Sequence, residues 1–314
     1  MLDTVLTWSF LAALLASGIR MAMPLVYAGL GEMVSERSGV LNIGMEGVML
    51  CGAFFAFAGT YFTDSLLLGM LAGMLGGALI SMLHALVSVC GKQNQTVSGL
   101  AMNMLALGLT SYLYRLMFGG GEHLQVRVMP KADIPLLSDI PVIGEAFFTH
   151  DILAYIGFLL TVVFFVLVRY TRLGLNTTAI GDNPMTADTA GVHVERRQLI
   201  ASFVSGLLGG AGGAYMTIAQ LGLFNDNLTA GRGYIALAAV ILGRYSPAGV
   251  FLAALLFGIA NALEIRIQAL GVQIPTQALA MLPYVITLLA LLLTSGRNKA
   301  PEALAKPYIR GSRQ

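Results

Sequence analysis

The chain has 314 residues, of which 57% are hydrophobic and 11% charged, with a mean hydropathy of +0.78. Soluble domains carry about a quarter charged residues, so an ordinary globular enzyme or binding module is excluded. The net charge of +2 is too small to suggest a nucleic-acid partner. Cys51 and Cys90 sit in or at the end of apolar runs with no thiol or histidine at metal spacing, and read as packing residues. The start lacks a basic segment, and no cleaved signal peptide is expected.

A bilayer-spanning helix needs about 20 apolar residues. Runs of this kind fall at 5–30, 44–61, 66–89, 97–118, 152–168, 199–220, 234–243, 248–267 and 277–293. The predicted fold is an all-α polytopic membrane protein of about nine spans, a single transmembrane domain over 1–314. The first run carries Arg20 and Pro24 in its middle. It reads as one crossing or as an interfacial helix followed by a span, and two crossings would give about ten. The seventh run is too short to cross alone, and is expected to join a non-helical piece over 222–233. Such backbone survives at membrane depth only where protein or water covers it.

Basic residues set the orientation. Arg169, Arg172, Arg196 and Arg197 border or occupy the loop 170–197, and Arg297, Lys299, Lys306, Arg310 and Arg313 lie in the tail 295–314. Both segments are therefore expected in the cytoplasm. An even number of spans separates them, so the two assignments agree, and the N-terminus falls outside. Gly69, Gly73 and Gly77 recur every fourth residue, as do Gly206 with Gly210 and Gly209 with Gly213. Small residues at that spacing predict close helix packing within the chain.

Enzyme constellations are lacking. His84, His123, His150 and His193 are scattered, and Gly91-Lys92 is not a phosphate-binding loop, because Gln93 follows and the earlier glycine is missing. Any ATP-driven movement of solute must draw on another chain. Polar groups at membrane depth are the better signal. In the segment 36–47, Gly44 breaks the helix while Asn42 and Glu46 place polar groups at the start of the next span. These read equally as a substrate site or as a capped turn. Asn103 lies inside a span, where an amide either hydrogen-bonds between helices or meets a solute. A third polar segment, 225–234, includes Arg232 and Tyr234, while Glu264 and Arg266 are expected to pair with each other.

In the loop 170–197, Asp182 or Asn183 can cap a helix with Pro184 at its first position and Gly191 at its end. The result is a helix of about two turns whose Ala187 and Ala190 offer a small smooth surface for another protein's groove. A plain connector is the alternative.

Three segments resemble a known family: Glu36–Gly47 (ERSGVLNIGMEG), Gly174–Val192, and Ala230–Gly249 (AGRGYIALAAVILGRYSPAG). The chain resembles permease subunits of ATP-binding-cassette importers of the branched-chain amino acid and ribose type, in the bacterial nucleoside and simple-sugar branch. The resemblance implies a type II importer fold in the bacterial cytoplasmic membrane. It implies a second, usually longer permease subunit, two ATPase subunits that use ATP and Mg, and an external binding protein that is typically a lipoprotein. This chain would be no enzyme and hold no cofactor. Asp182, Asn183, Pro184, Ala187, Ala190 and Gly191 would form the coupling helix that seats in the ATPase. Asn42, Gly44, Glu46, Asn103, Arg232 and Tyr234 would border the path. Purine nucleosides are the implied substrate, with simple sugars as the alternative. An ion-coupled transporter and an intramembrane enzyme are the readings from other classes.

Overall fold

The computed structural model describes residues 8–119, 124–133, 143–269 and 300–310, with isolated positions between 281 and 292. Helix α1 (Trp8–Arg37) is followed by α2 (Met45–Thr63), α3 (Leu66–Ala85) and α4 (Gln95–Phe118). A two-stranded hairpin, β1 (Lys131–Asp133) and β2 (Thr149–Asp151), encloses the short α5 (Ile143–Phe147). Then come α6 (Ile152–Tyr170), α7 (Arg172–Asp182), α8 (Pro184–Thr189), α9 (Val194–Tyr215), α10 (Arg232–Leu242) and α11 (Pro247–Ala269). Helices α3 and α9 each run on into a π-helical segment, Leu86–Cys90 and Met216–Leu221. Among the described residues, seven helices are long and apolar enough to cross a membrane. The expected span at 277–293 lies outside the described residues except for those isolated positions, and Arg297, Lys299 and Arg313 lie outside them.

The first apolar run is one helix, not an interfacial helix followed by a span. Pro24 lies inside it and has no N–H for the Arg20 carbonyl one turn back. Gln220 Nε2 donates to that carbonyl instead, at 2.7 Å, and Arg20 Nη2 donates in return to Ala219 O. Both partners sit on the π-helical segment of α9, where wider winding leaves backbone carbonyls free for such bonds. A helix that breaks its own ladder is thus mended by its neighbour. Gln220→Ala is expected to cost about 1–3 kcal/mol by orphaning the Arg20 carbonyl. In a Pro24→Ala background, where a backbone donor returns, the same change should cost less than half as much. Thermal unfolding of the four members of this cycle tests the idea, and additive costs would refute it.

The core is where α1, α2, α3 and α9 meet, and glycine makes the meeting close. A Cβ on Gly77 would lie 2.5 Å from the Gly210 Cα, and one on Gly206 would lie 2.6 Å from the Ser81 Cβ. The glycine stripes therefore serve packing within the chain, as expected. Helix α11 runs antiparallel along α1, with Gly18 against Ile259 and Gly29 against Val250. Helices α2 and α9 are the most enclosed spans, 78% and 72% buried, whereas α4 and α6 are 22% and 17% buried. The two exposed helices must face lipid or another chain.

Helix α10 has 11 residues, about 16 Å of rise, and covers half a crossing. An irregular stretch over 222–231 precedes it, as the short apolar run predicted. Protein covers part of this stretch: Phe224 is buried, edge-on to Phe54 at 5.4 Å, and Thr229 is buried, while Asn225, Asp226 and Asn227 are exposed. Glu264 and Arg266 do not pair. Arg266 Nη2 donates to Ala13 O (2.7 Å) and Ser17 Oγ (3.0 Å) on α1, with its guanidinium over the Phe10 ring, and Glu264 accepts from Gln268.

Candidate functional site

The turn between α1 and α2 is irregular yet buried, so its backbone needs partners. It finds them on side chains from four helices, α1, α3, α4 and α9. Glu32 Oε1 accepts from Asn42 N (2.8 Å), and Gln95 Oε1 accepts from Leu41 N (2.7 Å). Gln198 Nε2 donates to Ser38 O at 3.0 Å. His84 Nε2 lies 3.1 Å from Leu41 O and its Nδ1 lies 3.1 Å from Ser98 Oγ. A carbonyl only accepts, so Nε2 carries the proton and Nδ1 receives the Ser98 hydroxyl. Glu32 itself is fully buried and also accepts from Ser205 Oγ. Sequence reasoning missed Glu32, Gln198 and His84 as members of this cluster. The available signal was the turn itself, whose N–H groups require acceptors at depth.

Glu46 joins two segments that are far apart in the chain. Its Oε1 accepts from Thr229 Oγ1 (2.6 Å) and Gly231 N (2.7 Å), and its Oε2 accepts from Gly233 N (2.7 Å). The carboxylate therefore caps the start of α10, where free N–H groups and the helix dipole favour negative charge. Gly231 is left-handed at φ +87°, a backbone that side chains resist. Gly233 has no room for a Cβ against the Glu46 backbone, which sets how closely α10 approaches α2.

Asn103 forms the third contact of this seam. Its Oδ1 accepts from Gly47 N (2.8 Å), and its Nδ2 donates to Ile43 O (3.0 Å) and the Tyr234 hydroxyl (2.8 Å). Asn103 lies two turns into α4, about 12 Å from its start. Tyr234 is 43% exposed. Gly44 lets α4 close on the start of α2, since a Cβ there would lie 3.0 Å from Gly99 O. The structure thus gathers Gly44, Glu46, Asn103 and Tyr234 into one polar seam, with Arg232 on the first turn of α10. Asn42 lies behind it, 1% exposed, and neither its Oδ1 nor its Nδ2 has a partner among the described residues.

At the second candidate element, Asn183 caps α8, its Oδ1 accepting from Thr186 N at 3.0 Å, with Pro184 at the first helical position. Asp182 ends α7 instead of capping α8. Helix α8 has 6 residues, shorter than expected, and the chain leaves it through Gly191 at φ +88°. Ala187 is not part of a smooth outer surface. It is buried against Ile180, Val194 and Tyr308, because the α7–α8 hairpin needs a core of its own. The outward residues are Met185, Thr186, Thr189 and Ala190. Residues 300–310 lie across the hairpin. Ala303 N donates to Gly181 O (2.8 Å) and Ala305 N to Gly39 O (3.2 Å). Tyr308 Oη and Arg310 Nε both reach Asp188 Oδ2 at 3.0 Å. Burial and the Asp188 carboxylate push the Tyr308 hydroxyl above the ordinary phenol range, so it stays a donor at neutral pH.

Seven helices long and apolar enough to cross a membrane, packed around a polar seam, define a multi-pass membrane protein. The chain belongs to the family described as branched-chain amino acid transport system / permease component, whose model matches residues 14–292. It is 40% identical to the guanosine ABC transporter permease protein NupQ of Bacillus subtilis, over 93% of this chain and 95% of that protein. It is 38% identical to the nucleoside ABC transporter permease protein NupC of Lactococcus lactis, over 96% and 98% of the two chains. A putative glucose ABC transporter permease protein, TsgC13 of Haloferax volcanii, is 37% identical over 86% of this chain and 82% of its own. No solved structure matches the chain. The family resemblance carried by the three sequence segments is borne out.

Proposed function

We propose that this chain is one permease subunit of an ATP-driven nucleoside importer that works by alternating access in a bacterial cytoplasmic membrane. The observation that carries this reading is the Asn103–Tyr234 pair. A part-exposed amide and phenol two turns deep in a span are costly against hydrocarbon. Cover by a second permease subunit, with a wet passage between the two, relieves that cost. A nucleoside presents a flat base and a hydroxylated sugar, and an amide and a phenol suit both.

Residues 1–314 form a single transmembrane domain with about nine crossings. Helix α8 is the coupling helix and seats in an ATPase subunit, which uses ATP and Mg; this chain holds no cofactor. An external binding protein, a lipoprotein, delivers substrate at the β-hairpin end. Arg37, Lys92, Arg169, Arg172 and Arg196 gather at the α8 end, which supports placing that end in the cytoplasm and the N-terminus outside.

The test is uptake of labelled guanosine by the assembled transporter. Asn103→Leu is expected to lower it at least ~10-fold, since each buried bond lost costs about 1–3 kcal/mol. Tyr234→Phe removes one of those bonds and should have the smaller effect. Unchanged uptake in Asn103→Leu would remove the seam from the path. The similarity to a protein named as a glucose permease favours simple sugars as the second reading. Uptake of labelled glucose or ribose without nucleoside uptake would establish it.

A further inference from the structure

Where α6 turns into α7, a groove of about 210 Å³ opens against α1 and α9. Phe164 and Leu167 from the last two turns of α6, Leu173 from α7, and Ile200 and Val204 from α9 give it apolar walls. Arg37, the last residue of α1, and Arg197, on the first turn of α9, stand in the same lining, which holds no carboxylate. Neither arginine is in an ion pair among the described residues. Arg37 donates to Tyr245 O and Thr178 Oγ1, each at 3.0 Å, and keeps further N–H groups for another acceptor. Helices α1, α6 and α9 are all long and apolar enough to span, so the groove lies at their ends, where headgroups meet hydrocarbon. Water is a poor filler for it, because the apolar walls offer few of the polar partners a held water needs. An apolar helix of another chain would bury two arginines without a counter-charge, which is costly.

We propose that this groove binds one anionic phospholipid, with an acyl chain between α6 and α9 and its phosphate on Arg197 and Arg37. A lipid matches both halves of the groove at once, and basic pockets between spanning helices are sites of this kind. The planar guanidinium suits phosphate oxygens in pairs. A zwitterionic lipid carries a phosphate too, but its ammonium finds no carboxylate in the lining. The open side of the groove faces the bilayer: Leu173 is 53% and Ile200 47% exposed, and α6 is 17% buried. Because Arg37 also holds Thr178, the bound phosphate ties the ends of α1 and α9 to α7.

Native mass spectrometry of the full-length chain, extracted with its accompanying subunits, tests this by titration with dioleoyl-phosphatidylglycerol or dioleoyl-phosphatidylcholine. Phosphatidylglycerol is expected to bind at least ~10-fold more tightly, the worth of a charge-assisted hydrogen bond. Arg197→Gln should erase that preference, and Arg197→Lys, which keeps the charge, should retain most of it. Arg197 is half-exposed, so both variants should unfold at the wild-type temperature when no lipid is added. Arg172→Gln, exposed at the same end but outside the lining, should leave the preference intact. No preference in the wild type, or equal loss in Arg197→Gln and Arg172→Gln, would overturn the site. Equally tight binding of sn-glycerol 1-phosphate would make it a site for soluble phosphates instead. Lipid that binds only after the accompanying subunits are stripped away would assign the groove to a subunit contact.

Discussion

Gly210→Leu is expected to leave no folded protein. At Gly210 helix α9 passes between α2 and α3, and its neighbours are backbone atoms. A Cβ there already lies 3.1 Å from the Gly77 Cα and 3.1 Å from the Met74 Cα. Backbone cannot turn aside as the tip of a flexible side chain can, so the helices must separate. Overpacking in a core costs about 1–3 kcal/mol where side chains yield. Here three helices would have to part, and the cost approaches the whole stability of a domain, about 5–15 kcal/mol. Size-exclusion chromatography of detergent-extracted protein should show the monodisperse peak lost. Gly108→Leu is the control, because nothing lies within 4 Å of a Cβ at Gly108. A monodisperse, transport-competent Gly210→Leu protein would show that the α2–α3–α9 contact is looser than described.

The second large effect concerns Glu46. Glu46→Ala leaves three donors without an acceptor: the Thr229 hydroxyl and the amides of Gly231 and Gly233. At about 1–3 kcal/mol for each orphaned buried group, α10 should detach from α2 and transport should fall below detection. Glu46→Gln is more discriminating. Its amide has one acceptor oxygen and one donor nitrogen, so it serves either the Oε1 pair or Gly233 N but not both. The expected order of uptake is wild type, then Glu46→Gln, then Glu46→Ala, with thermal stability falling in the same order. Full uptake in Glu46→Ala would mean that the start of α10 is held by something other than this carboxylate.

The spans were readable because a crossing helix is encoded locally, by length and apolarity. The run at 44–61 became Met45–Thr63, and the run at 66–89 became α3 with its π-helical end. The α8 cap was readable for the same reason, since Asn183-Pro184 is a local signal. What was not readable depends on distant partners. Glu46 was identified, but its bonds to Thr229 and Gly233 bring together segments that no local pattern connects. Glu32 was hidden because it lies between the apolar run at 5–30 and the polar segment 36–47, where no local pattern marks a lone carboxylate. Ala187 looked like surface because alanine suits either face of a helix, and Tyr308, which covers it, lies over a hundred positions along the chain. The β-hairpin was missed because each of its strands has 3 residues, too few to show alternation.

On the function proposed above, this chain supplies half of a nucleoside passage and takes its drive from another subunit at α8. Labelled guanosine uptake into proteoliposomes holding the permease pair, its ATPase and the external binding protein decides this. Uptake is expected only with ATP and Mg on the ATPase side, and is expected to disappear in Met185→Asp while the assembled permease pair persists. Guanosine uptake by this chain alone under an ion gradient, with no ATPase present, would overturn that function.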